Sequence, residues 1–225
     1  GDYVKVVSPV VKDSSFREGG LMVNLADVPA VVDDIKLSRI NRTAMPDGLG
    51  AIVPVRADDF EGATTANWTA PPGTWEIASG YYVQQKIVNQ NSVAVFAASV
   101  PRDVRIKAQM GLGGNGDGGL RFRVVDENNY YSLVLDSKNG AAQLSRVRSG
   151  RAEGMTFALA GSATNRLEQV AVNLLARQAI PRHPAGELYD IEVRAVGDYI
   201  QVFIDGEEAL ALRDEYFTVG GLALR

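Results

Sequence analysis

From about Asp59 to the last residues, the chain reads as short runs in which apolar and polar residues alternate. The first runs are Tyr81-Tyr82-Val83, Val93-Ala94-Val95-Phe96-Ala97 and Val104-Arg105-Ile106-Lys107-Ala108. Leu120-Arg121-Phe122-Arg123-Val124 and Tyr131-Ser132-Leu133-Val134-Leu135 follow. After a gap come Ile191-Glu192-Val193-Arg194-Ala195, Ile200-Gln201-Val202-Phe203-Ile204 and Gly220-Gly221-Leu222-Ala223-Leu224. A period of two is that of a strand with one face in a core. Asn139-Gly140, Gly197-Asp198 and Asp205-Gly206 stand between runs and supply the positive φ of tight hairpins. Regular strand–turn spacing predicts an all-β fold, an antiparallel β-sandwich of the jelly-roll kind.

Two stretches depart from this pattern. Leu167, Val170, Ala171, Leu174 and Leu175 recur at helical spacing, with Thr164 or Asn165 as N-cap, and predict a short helix. The alternation Val170, Val172, Leu174 also permits a strand, and residues 151–186 as a whole read as an excursion from the sandwich. The first 57 residues contain the strand-like Val4-Lys5-Val6-Val7 and Leu21-Met22-Val23-Asn24-Leu25. Asp27-Val28-Pro29 looks like a helix start, with Asp27 as cap and Pro29 in the first turn. Residues 1–57 are therefore expected to form an N-terminal arm or small appended unit, and residues 58–225 the jelly-roll domain.

Composition narrows the chemistry. The 225 residues include no Cys and one His. That removes disulfides, thiolate nucleophiles and His-cluster metal sites. The one histidine, in Pro181-Arg182-His183-Pro184, sits where prolines stiffen the chain and reads as a surface-loop residue. Net charge is −4 and no basic stripe exists to neutralise phosphates, so nucleic acid is not an expected partner. No run of 18 apolar residues predicts a transmembrane segment. What survives is carboxylate chemistry, calcium, or binding without chemistry.

From Asp58 onward come, in order, Asp58-Asp59-Phe60-Glu61, Trp68, Gly73-Thr74-Trp75-Glu76 and Ser79-Gly80-Tyr81-Tyr82. This opening resembles the entry of the laminin-G-like jelly rolls of the concanavalin A-like lectin/glucanase superfamily. Gly119 to Arg123 and Asn128-Asn129-Tyr130-Tyr131 resemble its central hairpin. Tyr189-Asp190-Ile191-Glu192-Val193, Gly197-Asp198-Tyr199-Ile200 and Phe203-Ile204-Asp205-Gly206 resemble its closing strands. Members usually continue into one more strand beyond the position of Leu224-Arg225. The character of Gly1 to Val7 suggests that the N-terminal strand supplies this edge, within the chain or by self-association through residues 1–10.

Site candidates follow from the strand parity. With Leu120, Phe122 and Val124 pointing inward, Arg121 and Arg123 project from the opposite face, beside Tyr130 and Ser132. These four residues are the expected ligand-binding face for a glycan, a carboxylate or a protein. Asp58, Asp59 and Asp126 are oxygen-rich and weak calcium candidates, since turn chemistry accounts better for Asp at these places. No other cofactor is expected. Trp68 and Trp75 are expected in the core. The glucanases that the chain resembles use a Glu-x-Asp-x-x-Glu strand. Here Asp190 and Glu192 share a face with no third carboxylate, so that route is not expected. Gly111-Leu112-Gly113-Gly114-Asn115-Gly116 matches GxGxxG but precedes a strand, which predicts a loop and not a dinucleotide site.

The leading expectation is a non-catalytic recognition or adhesion module for a carbohydrate or protein. The alternatives are a structural subunit of a filament, surface layer or phage-like particle with strand exchange through the arm, and a sugar-acting hydrolase. Extracellular or cell-surface placement fits the resemblance, with the cytoplasm left open by the lack of Cys.

Overall fold

The computed structural model describes residues 20–23, 30–40, 52–62, 67–72, 74–84, 93–113, 116–149, 157–159, 169–184 and 186–224. Seventeen strands occur among them: β1 (Gly20–Val23), β2 (Ala30–Ile40), β3 (Ile52–Asp58), β4 (Trp68–Thr69), β5 (Trp75–Ala78) and β6 (Tyr81–Gln84) come first. Then follow β7 (Ala94–Phe96), β8 (Val104–Leu112), β9 (Asp117–Asp126), β10 (Asn129–Asp136), β11 (Ala141–Ser149) and β12 (Phe157–Leu159). The last are β13 (Gln169–Ala179), β14 (Leu188–Val196), β15 (Tyr199–Ile204), β16 (Glu207–Arg213) and β17 (Gly221–Leu224). A seven-stranded sheet runs β1-β17-β9-β10-β11-β13-β12. An eight-stranded sheet runs β16-β15-β14-β8-β2-β6-β5, with β3 also paired to β2. All pairings are antiparallel except that of β1 with β17. The all-β sandwich is the predicted fold. Gly140, Gly197, Asp205 and Gly206 all carry the positive φ their hairpins require.

The predicted helix is absent where it is described. Gln169–Ala179 is a strand, paired with β11 on one side and β12 on the other. The helical spacing has a local cause. Leu174 pairs with Ser145 and Ala176 with Leu144, so Leu175 is an extra bulged residue that interrupts the alternation. The helix expected after Asp27-Val28-Pro29 is likewise replaced by a strand. From Ala30 the chain enters β2, which lies between β8 and the strands β6 and β3 in the eight-stranded sheet. The described part of residues 1–57 contributes strands to both sheets. β1 lies beside the closing strand β17, in the register Leu21↔Leu222 to Val23↔Leu224. Gly1 to Val7, and the edge expected of them, lie outside the described residues.

The core is the layer between the sheets. Strands β8, β14 and β15 bury every second residue: Val104, Ile106, Ala108 and Met110, then Ile191, Val193 and Ala195, then Ile200, Val202 and Ile204. Leu120, Phe122, Tyr131, Leu133, Leu135 and Leu144 meet them from the other sheet. The same core includes a group of aromatic rings, in which Tyr82 packs against Phe60 and Trp75 at 5.2 and 4.8 Å between ring centroids. Trp68 packs on Phe96 at 5.1 Å, so both tryptophans lie in the core as expected.

One buried carboxylate ties the connection between β16 and β17 to the seven-stranded sheet. The Tyr131 hydroxyl donates to Asp214 Oδ1 at 2.5 Å and accepts the Phe217 N–H at 3.1 Å. Arg146 Nη1 donates to Asp214 Oδ2, and the Tyr216 N–H donates to Oδ1 at 3.0 Å. Burial, then the adjacent Asp214 charge, push the Tyr131 phenol far above its usual range, so it remains a neutral donor. At Gly220 the backbone passes so close to β9 that a Cβ would stand 2.1 Å from the Arg123 carbonyl carbon, and φ is +151°.

Asp214 should therefore be a stability determinant. Asp214→Ala leaves Arg146 buried without its counter-ion and should cost about 3–5 kcal/mol in urea unfolding. Combining it with Arg146→Met should recover much of that loss. A double variant no more stable than Asp214→Ala would contradict the pairing.

Candidate functional site

The residues expected to form a ligand face on β9 and β10 are all buried. Arg121 opposes Ser132 across the strands, and its guanidinium lies 4.2 Å from the Tyr130 ring centroid. Those three share one face of the sheet, but none presents an open surface. Arg123 does not join them. It adopts φ +50° within a register shift of β9, turns away and donates through Nη1 to the Phe217 carbonyl at 3.0 Å. The expectation of a solvent-facing set Arg121, Arg123, Tyr130 and Ser132 is corrected accordingly. Strict alternation cannot anticipate a bulge at a non-glycine residue.

The calcium candidates are engaged by protein donors. Asp58 accepts the Trp68 indole N–H at 3.0 Å and the Phe60 N–H at 3.3 Å. Asp59 accepts the Glu61 N–H at 3.2 Å. Asp126 accepts the Asn128 N–H and the Asn129 side chain, both at 2.8 Å. These are Asx turns. Among the described residues no group of three or more His, Cys, Asp or Glu is placed to hold a metal ion. His183 is a loop residue whose ring stacks on Tyr189 at 4.0 Å, with Nε2 3.0 Å from Asp205 and Nδ1 3.1 Å from the Leu188 carbonyl.

The outer face of the eight-stranded sheet is a different matter. Directly opposed residues share a face, and the register places three polar rows side by side. The first is Asp33–Gln109–Asp190, across β2, β8 and β14. The second is Lys36–Lys107–Glu192–Phe203, and the third Ser38–Arg105–Arg194–Gln201, both continuing onto β15. Above the first row lies an apolar strip, Val83–Val31–Gly111–Leu188. Gly111 keeps that strip closed, because a Cβ there would meet Val31 at 2.6 Å and Leu188 at 3.0 Å.

A bulge in β2 makes this arrangement. Between Asp33 and Lys36 the register shifts by one residue, and Asp34 takes φ +50°, a conformation that Asp tolerates better than most residues. Val32 and Ile35 stay buried on one side while Asp33 and Lys36 face outward. Asp190 and Glu192 share a face, as strand parity predicts, and Asp33 joins them as a third carboxylate that the helix predicted after Pro29 does not place there. The run Ile35-Lys36-Leu37-Ser38 carried the signal of a strand.

The rows differ in their electrostatics. Burial, then the Asp34 and Asp59 charges, raise the Asp33 carboxyl above its usual value, against the Asp34 N–H and Lys36. Asp190 accepts the Gln109 amide at 2.8 Å, and its own N–H donates to Asp205 at 3.0 Å. Glu192 is the reverse of Asp33. Burial pushes its carboxyl up, but the Arg105 and Arg194 hydrogen bonds and charges outweigh this and bring it to about 2. Arg105 grips it through Nε and Nη2, both at 2.8 Å, Arg194 Nε binds Oε1, and Lys107 stands 3.4 Å away. Arg194 also lies 4.1 Å over the Phe203 ring.

A carboxyl held low in the folded state stabilises it above the unfolded value of 4.5, and this stabilisation is lost as pH falls towards 2. Melting temperatures of the protein and of Glu192→Gln should thus differ most above pH 4.5 and converge on acidification. A constant difference down to pH 2 would contradict the ion cluster.

Comparison with known proteins adds a family. The family model described as the 3-keto-alpha-glucoside-1,2-lyase-like domain matches residues 57–222. Among solved structures, the chain is similar to the carbohydrate binding module CBM66 from Bacillus subtilis. There the identity is 16%, the TM-score is 0.40, and 70% of this chain and 86% of that one are covered. It is also similar to a GH43_12 retrieved from capybara gut metagenome, with 14% identity and a TM-score of 0.49. That match covers 81% of this chain and 38% of the other. No curated protein matches the chain. The jelly-roll sandwich is as expected, while no laminin-G assignment comes with the match. The expectation of a non-catalytic module is overturned by the lyase-like family. The matched segment spans most of the sequence, and the chain belongs to the 3-keto-alpha-glucoside-1,2-lyase-like domain family.

Proposed function

We propose that this domain acts on a sugar, eliminating the C1 substituent of a 3-keto-α-glucoside on the outer face of the eight-stranded sheet. The observation that supports this reading is the row Asp33–Gln109–Asp190, two carboxylates with an amide between them on three adjacent strands. Strands stand about 4.8 Å apart, so the two aspartates are about 10 Å apart at Cα. That leaves room for a sugar ring between their carboxyl groups.

The chemistry asks for such a pair. In a 3-keto sugar the C2 hydrogen is acidified by the neighbouring carbonyl. In an α-glucoside the C1 oxygen and the C2 hydrogen are axial on opposite faces of the ring. A base on one face takes the C2 proton, the C–H electron pair becomes the C1=C2 bond, and the C1–O bond breaks. An acid on the other face protonates the departing oxygen. The products are an unsaturated keto sugar and an alcohol, with no other reactant. In this reading Asp190, oriented by Gln109, serves as the base. Asp33, whose raised carboxyl retains its proton to higher pH, serves as the acid. The strip of Val83, Val31 and Leu188 offers apolar contact beside them.

Incubation with a 3-keto-α-glucoside, followed by NMR, should show loss of the C2 proton and a new vinyl signal. Asp190→Asn should slow this about 10²–10⁴-fold. Asp33→Asn should also slow it, yet should equal or exceed the native melting temperature at neutral pH, because burial disfavours the ionised carboxylate. Full turnover in both variants would overturn the assignment.

A further inference from the structure

We infer that the sugar taken by this face carries an anionic substituent, a carboxylate or sulfate, held by Arg105, Lys107 and Arg194. The inference rests on the placement of the sugar proposed above and adds a substrate class to it. Its basis is the charge and geometry of the second and third rows.

Three cations converge on the single carboxylate of Glu192. At Glu192 itself three positive charges meet one negative, a local excess of two in a chain whose net charge is −4. Lys36 does not add to this excess, since it pairs with Asp34. On the β16 side Glu208, opposite Phe203, accepts the Gln201 amide at 2.7 Å. Asp190 and Asp33 lie one row, about 6.7 Å, away and are directed towards Gln109 and the Asp34 N–H.

The cluster also has donors to spare. Arg105 spends Nε and Nη2 on Glu192, and Arg194 spends Nε. Among the described residues, Arg105 Nη1, both Arg194 Nη groups and most of the Lys107 ammonium are left for a ligand. Glu192 remains ionised across the physiological range and serves as an anchor rather than an acid. By gripping both guanidinium groups it removes the side-chain entropy that an anion would otherwise have to overcome. Phe203 restrains Arg194 from below.

The distances suit a substituted sugar. Successive outward residues on a strand are about 6.7 Å apart. A ring seated at Asp33, Gln109 and Asp190 therefore brings its own substituent, or that of the next ring, to the cationic rows. Guanidinium groups match the planar carboxylate and the oxygens of sulfate equally well.

The test uses the intact, ¹⁵N-labelled protein with three probes: a uronate trisaccharide, its methyl ester, and a neutral trisaccharide bearing one sulfate. The uronate or the sulfated sugar should bind about tenfold more tightly than the ester at low salt, as for a charge-assisted contact. The shifts should centre on Gln109, Asp190 and Arg194. The preference should disappear in Lys107→Gln/Arg194→Gln, whose amide spectrum away from these rows should overlay that of the native protein, showing that it is folded. Preference for one anionic probe identifies the group. Equal binding of all three at these residues overturns the inference and leaves the proposed site intact. A preference that survives the double variant also overturns it. An absence of shifts with every probe overturns the inference together with the sugar site beneath it.

Discussion

The constraint on which the molecule depends is the apolar layer between its sheets. In β8, β14 and β15 every second residue enters that layer, and the intervening residues have no choice but the opposite face. The rows Asp33–Gln109–Asp190, Lys36–Lys107–Glu192 and Ser38–Arg105–Arg194 are the complement of the core. A slip of one residue in any of these strands would bury charge and expose valine and isoleucine. Burial thus holds the site in register more firmly than the polar contacts within it do. It also confers rigidity on side chains that stand on strands and not on loops.

Two non-glycine residues with left-handed backbone modify the pattern, in opposite ways. Asp34 adds a residue to β2, so that Asp33 and Lys36 both face outward while Val32 and Ile35 stay inside. Arg123 bulges β9 and takes a cation off a sheet face, directing it to the Phe217 carbonyl. Each bulge costs backbone strain that surrounding pairings must hold in place. At Asp34 the return is a third carboxylate beside Gln109. At Arg123 it is a tie to the returning connection, where Gly220 passes against the same residue.

Two carboxylates organise arginines, and their surroundings separate their roles. Asp214 is inside, shared by Tyr131 and Arg146, and its charge is nearly balanced. Such a pair contributes mainly by holding a connection in one place. Glu192 sits at the solvent side, outnumbered by Arg105, Lys107 and Arg194. The same ion-pair chemistry leaves a surplus of charge where a ligand can reach it. Asp33 and Glu192, two rows of one face, are driven in opposite directions by desolvation and by hydrogen bonding.

The sandwich, most of its strands and the hairpin turns at Gly140, Gly197 and Gly206 were legible in the sequence, because alternation and turn residues act over a few positions. So was the shared face of Asp190 and Glu192, which follows from strand parity alone. The bulge at Leu175, which imitates a helical repeat, was not legible. Nor was the burial of Arg121, Tyr130 and Ser132 on a face that parity alone would leave open, or the turn of Arg123 away from it. The position of β2 was decided at the same level, since nothing local tells residues 30–40 to pair with β8 from a distance of some seventy residues. Local sequence determines which residues can alternate across a strand. Which strands become neighbours, and therefore which carboxylates and cations meet on one face, is settled by long-range pairing and by the shared core that this pairing must close.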